Sequence, residues 1–144
     1  MQTKISPTVT KQLLIRRPVE EVFQSMMDAK QISRLWLANA HGPLQEGEDY
    51  TWMWPELEES LTIRIIKIIP NQLISTLWQD TQLTIDYEFV EVTPETTYVT
   101  FTAYNFKEIG ENLVRAITAQ DSMLRIALHE LELYLTQSIP ATRL

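Results

Sequence analysis

The sequence predicts an α+β fold: a curved antiparallel sheet of about six strands wrapped around a long C-terminal helix, with two short helices after the first strand. Three observations carry this. Between Gly110 and Gln137, residues Leu113, Ile117, Leu124, Ala127, Leu128, Leu131 and Leu135 fall on one face at about 100° per residue, which is the stripe of an amphipathic helix. Through the middle of the chain, runs of period-two alternation are separated by turn residues, so the strands are mostly hairpin-connected. Directly after the first strand the apolar spacing switches to that of a helix.

In chain order, Val9, Lys11, Leu13 and Ile15 alternate with Thr10, Gln12, Leu14 and Arg16 as a first strand, which ends at Pro18. Proline suits the first turn of a helix and Glu20 and Glu21 suit its positive end. With Val19, Val22, Phe23, Met26 and Met27 at helical spacing, residues 18–28 read as a short helix. A second, over residues 30–37, carries Ile32, Leu35 and Trp36 on one side. Gly42-Pro43 and Gly47-Glu48 bracket a short strand, after which Tyr50, Trp52 and Trp54 alternate with Thr51 and Met53 as far as Pro55. Residues 60–69 and 72–79 form a hairpin turning at Pro70-Asn71, and the doublets Ile65-Ile66 and Ile68-Ile69 predict a bulge near Ile65. Leu83, Ile85, Tyr87 and Phe89 then alternate with polar residues, as do Val99, Phe101, Ala103 and Asn105 after the turn at residues 93–96. In the last helix Thr118 and Asp121 have capping-box spacing. This predicts a break, with residues 111–118 leading into a main helix over 119–137 that Pro140 stops.

One domain over residues 1–144 accounts for the length. A net charge of −7 with only 12 scattered basic residues argues against nucleic acid and against an anionic membrane surface as partners. The chain holds no apolar run long enough to span a membrane, no signal-like start and no cysteine, so a soluble, cytoplasmic protein is expected. His41 and His129 are the two histidines. They make no zinc spacing with each other, and neither metal nor cofactor is expected. No nucleophile-elbow pattern is present either, so no catalytic residue is assigned. His41 reads as a loop residue and His129 as solvent-facing on the helix.

Curling of the sheet leaves a space beneath the helix. Trp36, Tyr50, Trp52, Trp54, Trp78, Tyr87, Phe89 and Phe101 are the candidates to line it. Each also reads as simple core filling, but so many bulky aromatics converging under one helix predict a cavity that takes an apolar or aromatic small molecule. Leu124 and Leu128 close it from the helix, and Asn105, expected on the inner side of the last strand, offers it a polar group. On the helix back Ile126 and Leu133 stand where polar residues belong, and a partner or a second copy of the chain would bury them. The acidic Glu56, Glu58 and Glu59 read as a solvated turn.

The residues also resemble a known family. Ile15, Pro18, Glu21, Val22 and Phe23 are similar to the strand-end pattern of the START-like (Bet v 1-like, SRPBCC) superfamily, and within it of proteins like the C-terminal domain of the activator of the Hsp90 ATPase. Asp28, Ile32 and Trp36, then Gly47 with Tyr50, then Ile65, Ile68, Pro70, Leu73 and Trp78 resemble its successive motifs. Val99, Thr100 and Phe101, followed by Leu128, Leu131, Tyr134 and Leu135, resemble its closing pattern. The resemblance covers nearly the whole chain and implies the helix-grip fold with a ligand site between sheet and helix. A chaperone-regulating module with an Hsp90-type partner, or a cyclase-like enzyme using the same cavity, are the alternatives it implies. Two departures stand out: Met123-Leu124 where relatives commonly carry Gly-Trp, and Leu35-Trp36 where they carry two tryptophans. The first predicts a wider gap near Leu124.

Overall fold

The computed structural model describes the backbone of residues 7–27, 44–54 and 59–142, and the side chains of these except 52–61 and 137–142. The elements are β1 (Val9–Ile15), α1 (Val19–Met27), β2 (Asp49–Trp54), β3 (Glu59–Ile69), β4 (Leu73–Trp78), β5 (Leu83–Thr93), β6 (Thr96–Tyr104) and α2 (Gly110–Thr142). The strands form one sheet in the order β1-β6-β5-β4-β3-β2, every neighbouring pair antiparallel. From β2 to β6 the chain therefore meanders. β1 adds to the far side of β6, so the sheet's two free edges are β1 and β2.

Register sets the inner face. Ile15 lies opposite Thr97, Leu13 opposite Val99 and Lys11 opposite Phe101, while across β5 Phe89 meets Val99, Tyr87 meets Phe101 and Ile85 meets Ala103. Apart from the half-buried Lys11 and Leu13 these residues are buried, and β4 continues the face with Ile74, Thr76 and Trp78. The bulge expected near Ile65 is present. Pairing with β4 skips from Ile65 to Lys67, leaving Ile66 exposed, and the skip keeps both Ile65 and Ile68 turned inward. At the β3–β4 turn the Gln72 N–H donates to the Ile69 carbonyl, and Asn71 adopts φ 61° after Pro70, the combination that defines a type II turn.

Four local expectations are corrected. No short strand precedes β2: residues 44–48 form a turn around Gly47 at φ 83°, although the Gly47 N–H still donates to the Ile65 carbonyl. The last helix has no break at Thr118, whose hydroxyl donates to the Val114 carbonyl at 2.9 Å, four residues back inside the helix, instead of capping a new one. Nor does Pro140 stop it, since α2 runs on to Thr142; so near the end, the ring costs the helix one bond in its last turn. At 33 residues α2 is about 50 Å long. The fourth is Asn105, which lies beyond the end of β6. The expected helix over residues 30–37, Trp36, His41, Glu56 and Glu58 lie outside the described residues.

α2 packs on β1 and β6, and α1 on β5 and β6. Leu124, Leu128, Leu131 and Leu135 are all buried, as the stripe requires. Polar contacts fix the helix direction: Lys11 Nζ meets Asp121 at 2.6 Å and Arg17 Nε donates to the Leu135 carbonyl at 3.2 Å. Contacts that advance together along both elements mean that α2 runs in the same direction as β1.

Candidate functional site

The sheet side of the predicted site is built by alternation in β4, β5 and β6. It brings Trp78, Tyr87, Phe89 and Phe101 into one core with Leu124 and Leu128. The four aromatics are only 1% to 4% exposed, and they meet edge to face: Tyr87 and Phe101 at 4.7 Å between ring centres, Phe89 with Phe23 at 5.4 Å. Leu124 is equally buried, so the departure from tryptophan at this position is taken up by packing. Tyr50 is half-buried, and its hydroxyl accepts the Gln45 N–H at 3.0 Å, which ties it to the turn before β2. Trp52 and Trp54 pair with Leu61 and Glu59 of β3, their side chains lying outside the described residues.

Asn105 does not reach this space. β6 ends one residue earlier, and Asn105 turns away with φ 67°, exposed, its amide donating to Thr84 at 3.4 Å. Thr84 is flanked by the inward-facing Leu83 and Ile85 and faces outward. Asparagine tolerates the left-handed conformation better than most residues, which suits it to end a strand.

Two polar residues, one on the inner face of the sheet and one on the apolar stripe of α2, carry no signal in the periodicity. Thr76 sits between Ile74 and Trp78, its hydroxyl donating to the Ile85 carbonyl at 2.8 Å and accepting from Trp78 Nε1 at 3.3 Å. The Tyr87 hydroxyl joins the same pair. Its pKa is raised well above the ordinary tyrosine value, first by burial, with the Thr76 and Trp78 hydrogen bonds only partly offsetting this. A threonine two residues from both Ile74 and Trp78 on the same strand face was the available signal. The second feature is Gln120, which lies about 40° from Leu124 on the apolar stripe.

Burial of Tyr87 has a measurable consequence. The unfolded chain releases the tyrosine proton near pH 10, whereas the folded chain holds it to higher pH; the stability this group contributes is therefore intact below pH 10 and lost above it. Wild type is expected to lose about 1.4 kcal/mol per pH unit above about pH 10 relative to Tyr87→Phe. Urea titrations between pH 8 and 11 check this, and parallel pH profiles would show that Tyr87 ionises freely in the folded state.

On the helix side the two flanks of the stripe differ. Asp121, Arg125, Leu128 and Glu132 turn toward the free edge of β1, where Arg125, Leu128, His129 and Glu132 border an open groove of about 200 Å³ with Lys11 and Leu13. The opposite flank, Ala116, Gln120, Met123, Ala127 and Tyr134, consequently faces the middle of the sheet. All five are only partly buried, and Met123, Ala127 and Tyr134 pack on the core from above. A second open depression, of about 570 Å³, lies away from α2, between the start of α1, the β3–β4 turn and β5. On the outer face Asp86 accepts from both Ser75 and Tyr104, stitching β4, β5 and β6 together, and burial with this bond raises the Tyr104 pKa. At the sheet edge the Arg64 guanidinium bonds Asp49 at 2.9 Å and holds its carboxyl below the usual range. Among the described residues no three acidic or histidine side chains come together as a metal site.

An antiparallel six-stranded sheet gripping a long C-terminal helix over an aromatic core defines the START-like class. Within that class, the chain belongs to the family described as Activator of Hsp90 ATPase homolog 1-like protein, whose pattern matches residues 16–135. It is similar to protein SSP2350 from Staphylococcus saprophyticus, with 25% identity, 90% of this chain and 91% of that one covered, and a TM-score of 0.73. The Aha1 dimer from Colwellia psychrerythraea shares the fold at 16% identity, with 90% and 96% covered and a TM-score of 0.72. Protein MLL2253 from Mesorhizobium loti does so at 17% identity, with 91% and 98% covered and a TM-score of 0.75. No curated protein matches the chain.

Proposed function

We propose that the protein binds a small apolar or aromatic molecule between α2 and the concave face of the sheet, without catalysing a reaction on it. One observation carries this reading: the flank of α2 that faces the middle of the sheet, from Ala116 to Tyr134, is mostly apolar and yet only partly buried. A flank of that composition gains about 25 cal/mol for each Å² of apolar surface that a ligand covers. The floor below it is rigid, because Trp78, Tyr87 and Phe101 are locked by ring packing and by the Thr76 hydrogen bonds. Among the described residues the buried polar side chain on the inner face between Ile74 and Trp78 is the Thr76 hydroxyl, which orients a neighbour more readily than it moves protons at neutral pH. Among the described residues no helix is long and apolar enough to cross a membrane, and a chain without cysteine suits action in the cytoplasm.

Titration with fatty acids, aromatics and polyketide-like compounds tests this through the protein's own tryptophan emission. A saturable change is expected for at least one class. Leu124→Trp, which adds bulk beside the flank, is expected to weaken that ligand about tenfold while costing about 1 to 3 kcal/mol from overpacking; Glu91→Gln, in an exposed position, leaves affinity unchanged. No saturable change with any compound overturns the ligand reading.

The second reading is a protein-binding module with an Hsp90-type chaperone as partner, and the outer face of the sheet favours it. Leu14, Tyr98 and Val90 are cross-strand neighbours there, with Leu14 45% and Val90 57% exposed. The family's description points to the same partner. A purified Hsp90-type chaperone that binds wild type but not Leu14→Ala/Val90→Ala would support this reading in place of the first.

We also propose a homodimer through the back of α2, where Ile126 is 43% exposed and Leu133 is half-buried. The Colwellia protein that shares the fold is itself described as a dimer.

A further inference from the structure

A free sheet edge offers a row of backbone N–H and C=O groups to any foreign strand, and folded proteins blunt such edges with prolines, bulges or inward-pointing charges. β1 keeps only the last of these. It has no proline, and its ladder with β6 runs from Val9 to Ile15 without a shift in register. Alternate residues of this seven-residue strand turn their backbone groups away from β6, and among the described residues no strand pairs with that side. Its one charge, Lys11, lies on the inner side, where Asp121 of α2 holds the ammonium at 2.6 Å. Such a lysine rejects an apolar strand, because pairing would bury the charge further, but it attracts a strand that brings a carboxylate. Beside the edge lies the open groove of about 200 Å³, with Leu13 and Leu128 as its apolar lining. That volume is below the roughly 300 Å³ at which small-molecule pockets begin, yet it has room for one large side chain.

We propose that the edge of β1 takes up an extended, acidic segment of a partner protein as a seventh strand of the sheet. The docking elements are the backbone edge and the groove, not the space under the opposite flank of α2, so the site does not depend on the small-molecule reading. Backbone hydrogen bonds to the outward groups of β1 hold the segment, and one apolar side chain on its inner side fills the groove between Leu13 and Leu128. A carboxylate two residues away, on the same side of the added strand, comes beside Lys11 and Arg125. The charge pattern favours this partner: from Thr8 to Pro18 the chain carries Lys11, Arg16 and Arg17 and no acidic residue, although its net charge is −7. The neighbouring acids leave room for another. Asp121 is shared between Lys11 at 2.6 Å and Arg125 at 3.6 Å, and Glu132, the groove's own acid, lies two turns beyond Arg125, about 10 Å along α2. A second copy of β1 fits the edge less well, because it brings three more cations and no carboxylate.

The probe is the peptide acetyl-Ser-Thr-Glu-Thr-Leu-Thr-Glu-Thr-Ser-amide, which sets leucine and both glutamates on one side of a strand. Titration into the wild-type protein, followed by amide NMR, is expected to give saturable shifts at β1 and along the Arg125 to Glu132 flank of α2. Hydrogen exchange should slow at the alternate β1 amides that face away from β6. Two altered peptides separate the contributions. Lysine in place of both glutamates should weaken binding by about tenfold or more, and so should methylation of the five central backbone nitrogens, which removes the donors on either edge of the strand. No saturable binding of the parent peptide up to about 1 mM overturns the proposal. So does binding of the methylated peptide within about twofold of the parent, which would mean charge attraction without strand addition. Outward β1 amides that already exchange slowly in the free protein would mean that the edge is occupied by the chain itself or by a second copy, and this result also overturns it.

Discussion

Leu128→Ala is expected to destabilise the protein by about 2 to 5 kcal/mol, as measured by urea unfolding with helix and tryptophan signals followed together. Leu128 is buried at the centre of the α2 stripe, one turn after Leu124 and just before Leu131, with Leu13 of β1 beside it at the edge groove. Truncation removes the transfer free energy of three carbons and leaves a hole. α2 is a single 33-residue rod tied to β1 by Lys11–Asp121 and, just past the end of β1, by Arg17 to the Leu135 carbonyl, so it cannot collapse locally to fill that hole. The surrounding leucines would lose contacts outright. Ile126→Ala, two residues away on the exposed side, removes a similar volume and should cost the monomer about half a kcal/mol or less. Equal small losses in the two variants would mean that α2 does not carry the core.

The same residues explain what was legible in the sequence. Long periodic signals transferred well: the stripe from Leu113 to Leu135 gave the helix and its buried face, and the alternation in β5 and β6 gave the inner aromatics, because burial of a whole face enforces the period at every position. The bulge at Ile66 was legible for the same reason, since two successive isoleucines cannot both face the core of a regular strand. Signals that rest on one or two residues transferred poorly. Thr118 and Asp121 fit a capping box only if the backbone leaves the helix, and the Thr118 hydroxyl found the Val114 carbonyl within the helix instead. Asn105 fits the alternation of β6 by number, but a backbone turn at φ 67° ends the strand before it. Thr76 and Gln120 were passed over because a single polar residue in an apolar pattern looks like noise until the structure shows whether its hydrogen bonds are made. For Thr76 they are made, and for the Gln120 carbonyl none is, among the described residues.

Replacing Ile126 and Leu133 with glutamate is expected to convert a dimer to a monomer without loss of fold. The back of α2 carries Ala119, Ser122, Ile126, His129 and Leu133 at alternating spacings of three and four, the seam of a two-helix pair. An isologous dimer brings this seam against its own copy with the helices antiparallel. Ile126 then lies beside the second copy's His129, and Leu133 beside its Ser122, a small residue that leaves room for the larger one. The same register sets Arg125 of each copy opposite Glu132 of the other, giving two ion pairs along one side of the seam that the monomer does not have, since Arg125 otherwise lies 3.6 Å from Asp121 on its own helix. Glutamates at 126 and 133 would place four carboxylates along the seam of the pair. At about 3 kcal/mol or more for burying such charges, the dissociation constant should rise by roughly a hundredfold or more. Sedimentation equilibrium reads the change in mass, and circular dichroism checks that the fold survives, because neither residue contributes to the buried core of the single chain. Exchanging the charges tests the register itself: Arg125→Glu should weaken the dimer, and Arg125→Glu with Glu132→Arg should restore it. A wild-type chain that stays monomeric at several hundred micromolar would leave the exposed Ile126 without this explanation and end the proposal.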